Sequence, residues 1–352
     1  MTPLHTLSLE LLQRLIAIPS FSKEEDGVAT LLQDFFQQHD VQVNRQGNNV
    51  WVQNLHFDAL KPTVLLNSHH DTVKPNPQYT RDPFQPEIVD GKLYGLGSND
   101  AGGPLVSLIA TFLHYYPKEN LKYNIVLAAT AEEEISGTGG IESIWSSLPT
   151  VDFAIVGEPT LCEMATAEKG LMVLDCIAKG KAGHAAREEG INAIYEALTD
   201  IEWFRTYKFP DISKTLGPVK MTVTIINAGK QHNVVPAECH YTVDVRVTDC
   251  YSLEELLQII QRHVKSEVKP RSMRMRPSGI AENHSLIKAA IKLDINRYGS
   301  PTTSDQALIP APSIKMGPGD SARSHTADEF IFVNEIAQGI ETYIKVLDEI
   351  VI

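Results

Sequence analysis

The sequence predicts an α/β protein in which a mixed, mostly parallel β-sheet is covered by helices and a smaller α+β domain is inserted. Short apolar runs alternate with longer amphipathic runs over most of the chain, which is the pattern of buried parallel strands joined by helices. Between residues 173 and 276 the order becomes strand, helix, strand, strand, helix and a final strand near Met273. That order is typical of a ferredoxin-like unit. We therefore place the α/β domain in two segments, 1–172 and 277–352, and the inserted α+β domain at 173–276.

Local patterns predict each element of the α/β domain. Ser22 precedes two glutamates and a periodic apolar run, which predicts a helix capped by Ser22. Short apolar runs predict buried strands, and longer periodic runs predict helices. The predicted strands are 64–66, 124–129, 153–156 and 313–316, and the further helices are 103–116, 284–298 and 334–352.

The inserted domain has a different pattern. Residues 171–178 alternate between apolar and polar, as expected of a half-exposed strand. Residues 221–227 and 240–247 predict an antiparallel pair of strands, whereas 188–204 and 253–264 have helical periodicity. These elements give the inserted domain its order along the chain.

Composition narrows the possible partners. The 352 residues carry a formal net charge of −13, which disfavours nucleic acid because phosphate binding needs clustered Lys and Arg. No apolar run has the length of a membrane span, and Met1–Leu12 lacks the basic and apolar segments of a signal peptide. The cysteines form no C-x-x-C pair, so we expect buried free thiols and a cytoplasmic protein. They are Cys162, Cys176, Cys239 and Cys250.

Acidic residues and histidines collect beyond four predicted strands and before one helix. Ligands bind beyond the carboxyl ends of the strands in an open α/β sheet, so we expect these side chains to meet at one edge. They are His69, His70 and Asp71, the run Glu132–Glu134, Glu158 and His325 after strands, and Asp100 before the helix at 103.

Such a cluster predicts a metal site. Two imidazoles and three carboxylates at one edge would repel one another without a cation, and this mixed ligand set suits zinc or another divalent transition metal. Five ligands exceed the needs of one catalytic zinc, whereas two metals that share one carboxylate use them all. Each piece alone has an ordinary structural explanation, such as a buried histidine or a solvated acidic turn. The combination favours a two-metal centre.

Short motifs along the chain resemble one known family. His69–Val73 has the form H-x-D-x-V, Gly157–Thr160 has the form G-E-P-S/T, and the acidic pair and closing histidine follow in family order. The chain is similar in these motifs to the zinc metallopeptidase family of acetylornithine deacetylase, succinyl-diaminopimelate desuccinylase, aminoacylases and carboxypeptidase G-type enzymes. Arg81–Phe84 and Asp90–Gly97 resemble acetylornithine deacetylases in particular.

The resemblance implies a zinc-exopeptidase-like fold and a role for each matching residue. Two zinc ions per chain are implied, for which cobalt can substitute. Asp100 would bridge them, with His69 and Glu158 completing one site and Glu134 and His325 the other. Asp71 would orient His69, Glu133 would act as general base, and a cis peptide would follow Asp100. One departure is Gly102, which stands where the family commonly has lysine.

The resemblance implies that the inserted domain, 173–276, is a lid or dimerisation domain, and this domain carries further matches. His184 matches a family histidine that crosses a dimer interface to stabilise the oxyanion in the partner's site, so the resemblance implies a homodimer. Arg246 is a candidate ligand for the substrate α-carboxylate, with Asn233 assisting, and a strand-surface ion pair explains Arg246 equally well. Thr303 lies in a stretch that resembles one near the family's substrate, with a helix cap as the equal alternative.

The resemblance implies hydrolysis of the amide of a small N-acyl amino acid, with N-acetylornithine in arginine biosynthesis as the leading substrate. The alternatives are deacylation of N-acetylcitrulline, N-succinylornithine, N-acetyllysine or succinyl-diaminopimelate, and a di-zinc dipeptidase. A metal-binding but inactive relative is the alternative of another class. Candidates for contact with the side chain or acyl group are Arg187, Ser321, Arg323 and Thr303.

Overall fold

The computed structural model describes residues 2–352, and the chain divides into two compact units. The larger unit contains the chain up to Ala167 together with Gly279–Tyr298 and Ser304–Ile352, and the smaller contains Glu168–Ser278 and Gly299–Thr303.

The described residues form eight α-helices and eighteen strands. The helices are α1 (Pro3–Ile16), α2 (Asp26–Gln38), α3 (Gly103–Tyr115), α4 (Ile141–Ile144), α5 (Ala193–Thr206), α6 (Leu253–His263), α7 (Ser285–Lys292) and α8 (Val333–Val351). The strands are β1 (Val43–Gln46), β2 (Asn49–Gln53), β3 (Thr63–His69), β4 (Glu87–Val89), β5 (Lys92–Tyr94), β6 (Asn124–Thr130), β7 (Phe153–Gly157), β8 (Met164–Glu168), β9 (Gly170–Lys179), β10 (Gly183–His184), β11 (Lys220–Ala228), β12 (Val234–Val235), β13 (Glu238–Val247), β14 (Glu267–Pro270), β15 (Ser278–Gly279), β16 (Arg297–Ser300), β17 (Ser313–Met316) and β18 (Phe330–Phe332).

A mixed sheet is the centre of the larger unit. Its strands follow the order β1-β2-β6-β3-β7-β17-β8. The four strands β6, β3, β7 and β17 are parallel to one another and fully buried, whereas β1, β2 and β8 pair antiparallel at the flanks. The predicted fold class, a mostly parallel sheet covered by helices, is confirmed.

Alternate residues of the central strands pack into two different layers. Val64 and Leu66 of β3 join a large core with the apolar faces of α1, α2, α3 and α8. Leu65 joins a smaller core on the opposite face, with Ile141 and Ile144 of α4. This alternation follows from the two-residue repeat of a strand and explains why β3 is apolar at consecutive positions. Both faces of the sheet are therefore covered.

The smaller unit is an antiparallel sheet with two helices. Its strands follow the order β11-β13-β9-β14, and α5 and α6 pack their apolar sides on the buried face. This chain order and strand order are those predicted for a ferredoxin-like unit. The last strand, β14, lies a few residues earlier than the expected position near Met273.

Three sequence predictions were wrong at the ends of helices. The helix predicted over 188–204 begins only at Ala193, with Asn192 as its cap. The helix predicted over 284–298 ends at Lys292, because Asp294 takes a left-handed conformation with φ of 54° and the chain then extends into β16. Ser22 does not cap α2, which begins only at Asp26. The hydroxyl of Ser22 instead donates to Asp71.

Among residues 2–352, no helix combines the length and apolarity needed to span a bilayer. The four cysteines are unpaired, and Cys176 and Cys239 are buried as expected, whereas Cys250 is exposed.

Candidate metal centre

The candidate site begins where β3 and β6 end together. In their parallel register, His69 is level with Thr130, the last residue of β6. The acidic turn that contains Glu133 and Glu134 begins three residues later, and Glu158 directly follows the neighbouring strand β7. The shared ends of parallel strands thus bring these residues to one edge of the sheet, as predicted.

One group of ligand atoms surrounds the imidazole of His69, which is 1% exposed. His69 Nε2 lies 3.3 Å from Asp100 Oδ1 and 3.9 Å from Glu158 Oε1. Glu133 Oε2 is also 3.9 Å from His69 Nε2. These carboxylates therefore face a common point beside the imidazole.

A second group surrounds His325. His325 Nε2 lies 3.0 Å from Glu134 Oε2 and 3.6 Å from Asp100 Oδ2. The two oxygens of Asp100 thus face two different imidazoles, Oδ1 towards His69 and Oδ2 towards His325. Single ligand atoms of His69, Asp100 and Glu134 all lie within 4.8 Å of one another, a spacing compatible with metal coordination. The donor set fits two divalent cations that share Asp100.

Negative charge dominates the electrostatics of this site. Burial lowers the pKa of His69, but nearby carboxylates, Glu133 foremost, outweigh burial and hold that pKa well above its ordinary value. Burial raises the pKa of Glu133 well above its ordinary value. The hydrogen bond with Glu134 raises the pKa of His325 to about 9. The raised pKa values of His69 and His325 reflect the negative charge of the surrounding carboxylates, which bound divalent cations would also balance.

Asp71 connects the imidazole of His69 to the acidic turn. Its Oδ1 lies 3.4 Å from His69 Nδ1 and accepts the backbone N–H of Glu133 at 3.0 Å. Its Oδ2 accepts the N–H of Glu134 at 3.2 Å and the hydroxyl of Ser22 at 2.7 Å. Although burial opposes ionisation, the bonds to His69 and Ser22 leave the pKa of Asp71 below its ordinary value. The family resemblance implied the contact with His69 but gave no indication of Ser22.

The loop that carries Asp100 has a partner that sequence analysis missed. The buried carboxylate of Glu329 accepts the backbone N–H groups of Gly97, Asn99 and Asp100 at 2.8–3.0 Å. The peptide bond between Asp100 and Ala101 is cis, as the family resemblance implied. The position of Glu329 four residues after His325 was the available indication of a role.

Asp305 is a second buried carboxylate that the motifs did not identify. It is 3% exposed, accepts the hydroxyl of Thr130 at 2.7 Å, and has its pKa raised to about 6 by burial. The sequence predicts only a substrate contact or a helix cap in this stretch. The cap is present, because the side chain of Ser304 accepts the N–H of Gln306.

The structure separates His70 and Glu132 from the candidate ligands. His70 is buried, its Nε2 lies 2.8 Å from the backbone oxygen of Asn48, and burial lowers its pKa. The carboxylate of Glu132 accepts the N–H of Gly139 instead of joining the cluster. Glu133 and Glu134 are therefore the two members of the acidic run at the site.

Four of the candidate substrate residues lie in the smaller unit, namely His184, Asn233, Arg246 and Thr303. Arg246 pairs with Asp244 through two N–H groups at 2.8 and 3.0 Å, and its Nη1 donates to Thr303 at 3.2 Å. His184 and Asn233 are both exposed and lie on adjoining segments, where Ala185 N–H donates to Asn233 O at 3.0 Å. Arg246 and Thr303 thus form one group in this unit, and His184 and Asn233 form another.

Two other arginines differ in their availability. Arg323, in the larger unit, donates to both carboxylate oxygens of Glu335 at 2.7 Å and lies over Phe330, so its guanidinium is already engaged. Arg187, in the smaller unit, is exposed and lies 3.9 Å from Glu189. Of these two candidates, Arg187 has the freer side chain.

An α/β sheet with a partly buried cluster of histidines and carboxylates at its carboxyl edge, and a glutamate beside the cluster, is typical of a metal-dependent amidohydrolase. The chain matches the model of Peptidase family M20/M25/M40 over residues 65–349 and belongs to this family. The family resemblance read from the motifs is confirmed.

Sequence relatives cover nearly the whole chain. A LysW-lysine/LysW-ornithine hydrolase from Sulfurisphaera tokodaii is 27% identical over 351 residues, which cover 97% of this chain and 95% of the relative. An acetylornithine deacetylase from Shigella sonnei is 28% identical over 374 aligned positions, covering 96% of each chain. The chain is therefore similar to hydrolases of two named specificities.

Solved structures show the same fold. The aminopeptidase PepT from Bacillus cereus has a TM-score of 0.78 at 18% identity, with 98% of each chain covered. A dinuclear metal-binding peptidase of the M20 family from Bacillus subtilis has a TM-score of 0.70 at 14% identity, with 97% of each chain covered.

Proposed function

We propose that this protein hydrolyses the amide bond of an N-acyl amino acid at a centre of two divalent cations, with N-acetylornithine as the leading substrate in arginine biosynthesis. The observation that most directly supports a two-cation centre is the orientation of Asp100. Its Oδ1 faces His69 and its Oδ2 faces His325. Ornithine occurs in the names of both kinds of sequence relative, which supports an acylated ornithine as substrate.

We assign the ligands in two sets. His69 and Glu158 would hold one cation, Glu134 and His325 would hold the other, and Asp100 would contact both. Imidazole and carboxylate ligands suit zinc, and cobalt accepts the same set. When bound, such cations supply Lewis acidity that polarises the amide carbonyl and makes water a nucleophile at neutral pH.

The remaining residues of the cluster have roles in proton transfer and orientation. Glu133 would take the proton of the attacking water and deliver it to the departing amine, as a general base and then acid. Asp71 would fix the orientation of His69 through the contact at Nδ1.

We propose that the smaller unit supplies substrate contacts. Arg246 would bind the α-carboxylate, with Thr303 and Asn233 as further hydrogen-bonding groups. The pairs with Asp244 and Thr303 hold the guanidinium in one orientation, which favours recognition of a carboxylate by two parallel hydrogen bonds. His184, exposed in this unit, would stabilise the oxyanion in a partner chain's site.

We also propose a homodimer formed through the smaller unit, because His184 is assigned to the site of a partner chain. Strand β11 is an edge strand of its sheet, and Ile225 and Ile226 are each 50% exposed. The unit has 16 Lys and Arg against 14 Asp and Glu, whereas the larger unit has 15 against 30. Two copies can therefore approach through the smaller unit with little repulsion.

Replacement of Ile226 by glutamate tests this dimer. We expect Ile226→Glu to reduce the mass in solution from that of two chains to that of one chain and to lower activity. A wild-type protein that is a fully active monomer would contradict the dimer.

A second candidate is release of lysine or ornithine from a LysW conjugate, which the name of the Sulfurisphaera tokodaii relative favours. We also propose a cytoplasmic location, because four unpaired cysteines suit a reducing compartment.

An amine-release assay distinguishes the candidate substrates. Cobalt- or zinc-loaded protein would be presented with acetylornithine, acetylcitrulline, succinylornithine, acetyllysine, succinyl-diaminopimelate, a LysW–ornithine conjugate and dipeptides, with Glu133→Gln as the control. We expect the highest kcat/KM on acetylornithine. Preference for the conjugate would favour the second candidate, and turnover of dipeptides alone would contradict both.

A further inference from the structure

Glu329 is a fully buried carboxylate outside the proposed set of ligands. It is 2% exposed, and one oxygen accepts the N–H groups of Asn99 at 2.8 Å and Asp100 at 2.9 Å. The other oxygen accepts the N–H of Gly97 at 3.0 Å. The carboxylate therefore binds the backbone of the loop that ends in Asp100.

Glu329 also belongs to the segment that carries His325. Its backbone oxygen accepts the N–H of Gly95 at 3.0 Å, and the next residue, Phe330, pairs with Tyr94 where β18 lies beside β5. Backbone and side chain of Glu329 thus attach the Asp100 loop to the His325 segment at several points. These two segments deliver the pair of ligands His325 and Asp100.

The same arrangement occurs on the other side of the site. Asp71 follows His69 by two residues, and its carboxylate accepts the N–H groups of Glu133 and Glu134. Each proposed histidine ligand is therefore followed by a buried carboxylate that binds the backbone of a segment with a proposed carboxylate ligand, Asp100 or Glu134. Because the arrangement occurs twice, once beside each proposed histidine ligand, we relate both occurrences to the metal centre.

We propose that Glu329 is a positioning residue of the metal centre. It holds the Asp100 loop against the His325 segment, so that Asp100 presents one oxygen to each imidazole. The inference rests on the proposed two-cation centre.

A carboxylate suits this position for a chemical reason. Three N–H donors converge on Glu329, and a carboxylate offers two oxygens with about four acceptor sites. A glutamine at this position has one oxygen, so its amide N–H₂ would face the N–H of Gly97 or of Asn99 and Asp100. Glu329→Gln therefore preserves size while it breaks part of the network.

Asp200 provides a matched control in the smaller unit. It is 3% exposed and accepts the N–H groups of Lys265 at 3.1 Å and Ser266 at 2.8 Å. Asp200→Asn therefore removes the same kind of buried acceptor in the unit without the proposed cation ligands. It should lower the melting temperature and leave cation binding unchanged.

The test is a Co²⁺ titration of the full-length, metal-stripped protein, followed by cobalt absorption, with melting temperature and steady-state kinetics measured in parallel. For Glu329→Gln we expect the affinity for at least one Co²⁺ to fall by about 10- to 100-fold, with an altered cobalt spectrum. We expect kcat to fall by about 10- to 100-fold, with KM changed by less than about threefold.

Wild-type Co²⁺ affinity and spectrum in Glu329→Gln would overturn the inference, and so would a lower melting temperature as its only change, as in Asp200→Asn. If the wild-type protein binds one Co²⁺ instead of two, the proposed two-cation centre fails separately. In that case, unaltered binding of that ion by Glu329→Gln overturns the positioning role, and weakened binding supports it.

Discussion

Glu133 and Glu134 are neighbours in the sequence, yet their carboxylates have different surroundings. Glu134 lies 3.0 Å from the imidazole of His325, whereas Glu133 lies 3.9 Å from that of His69. The short helical turn that contains them follows Glu132, which has a left-handed conformation with φ of 57°. The turn thereby directs adjacent side chains to separate positions. One can bind a cation while the other remains available for proton transfer.

Replacement of Glu133 by glutamine tests that separation. The amide cannot accept the proton of the attacking water, so we expect kcat to fall by about 100- to 10,000-fold. Bound metal measured by elemental analysis should stay at the wild-type level, because Glu133 is outside the proposed ligand set. Retention of more than about a third of the wild-type kcat would exclude Glu133 as the base.

Replacement of Asp71 by asparagine tests orientation of the same cluster. Asparagine cannot accept at both positions, so the contacts with His69 and the acidic turn would weaken. We expect a loss of about 10- to 100-fold in metal affinity or activity, as found for residues that orient metal ligands. Ser22→Ala removes one hydrogen bond to Asp71 and should cause a smaller loss in the same assays. Equal, negligible effects of both variants would show that Asp71 has no orienting role.

At the scale of elements, the loop before α3 explains the departure from the family at Gly102. A Cβ atom there would lie 2.4 Å from the backbone oxygen of Gly97 and 2.6 Å from a methyl group of Leu12. The lysine that the family commonly has at this position therefore does not fit the present loop without a backbone shift. The glycine allows close packing behind Asp100.

Gly102→Ala should consequently destabilise the protein and disturb the site. We expect a loss of about 1–3 kcal/mol in the free energy of unfolding, typical of overpacking in a buried region. Denaturant unfolding and metal content would be measured together. Gly47→Ala is a control with open space around its Cβ, although its φ of 58° adds a cost of its own. A Gly102→Ala protein as stable as the wild type would show that the loop adapts readily.

The sequence was sufficient to predict the strands that end in the proposed catalytic and metal-binding residues. The buried strands β3, β6, β7 and β17 were predicted because continuous apolar runs end in polar residues. The end of α7 could not be predicted, because the apolar periodicity continues past Lys292 and only the left-handed Asp294 interrupts it. Likewise, Ser22 looked like a helix cap because two glutamates and a periodic apolar run follow it. Its actual partner, Asp71, lies 49 residues away in the sequence. Local patterns do not contain such distant partners.

The candidate site shows the same limit. The motifs supplied the proposed ligands, and the structure brings seven side chains together at one edge of the larger unit. They are His69, Asp71, Asp100, Glu133, Glu134, Glu158 and His325. Glu329 and Asp305 were not predicted, because local sequence patterns do not show that these two carboxylates are buried or which groups they bind. Their burial becomes visible only in the folded chain.

At the scale of the whole molecule, charge is divided unevenly. The larger unit has 15 basic against 30 acidic residues, whereas the smaller unit is near balance. Two bound divalent cations would compensate only part of that excess. Substrates that approach the larger unit therefore meet a negative potential, which salt screens.

This charge predicts a difference between two candidate substrates. Acetylcitrulline has a net negative charge at neutral pH, whereas acetylornithine has a positive ammonium group that balances its carboxylate. Raising ionic strength from about 0.01 to about 0.15 M should raise kcat/KM for acetylcitrulline roughly twofold and change that for acetylornithine little. Identical salt dependence for both substrates would show that the potential of the larger unit does not reach the site.

The central claim is that two cations share Asp100, and anomalous diffraction at the zinc absorption edge tests it most directly. Crystals of the zinc-loaded protein should show two peaks, one beside His69 and Glu158 and one beside Glu134 and His325, both in contact with Asp100. A single peak, or two peaks of which only one contacts Asp100, would contradict the account.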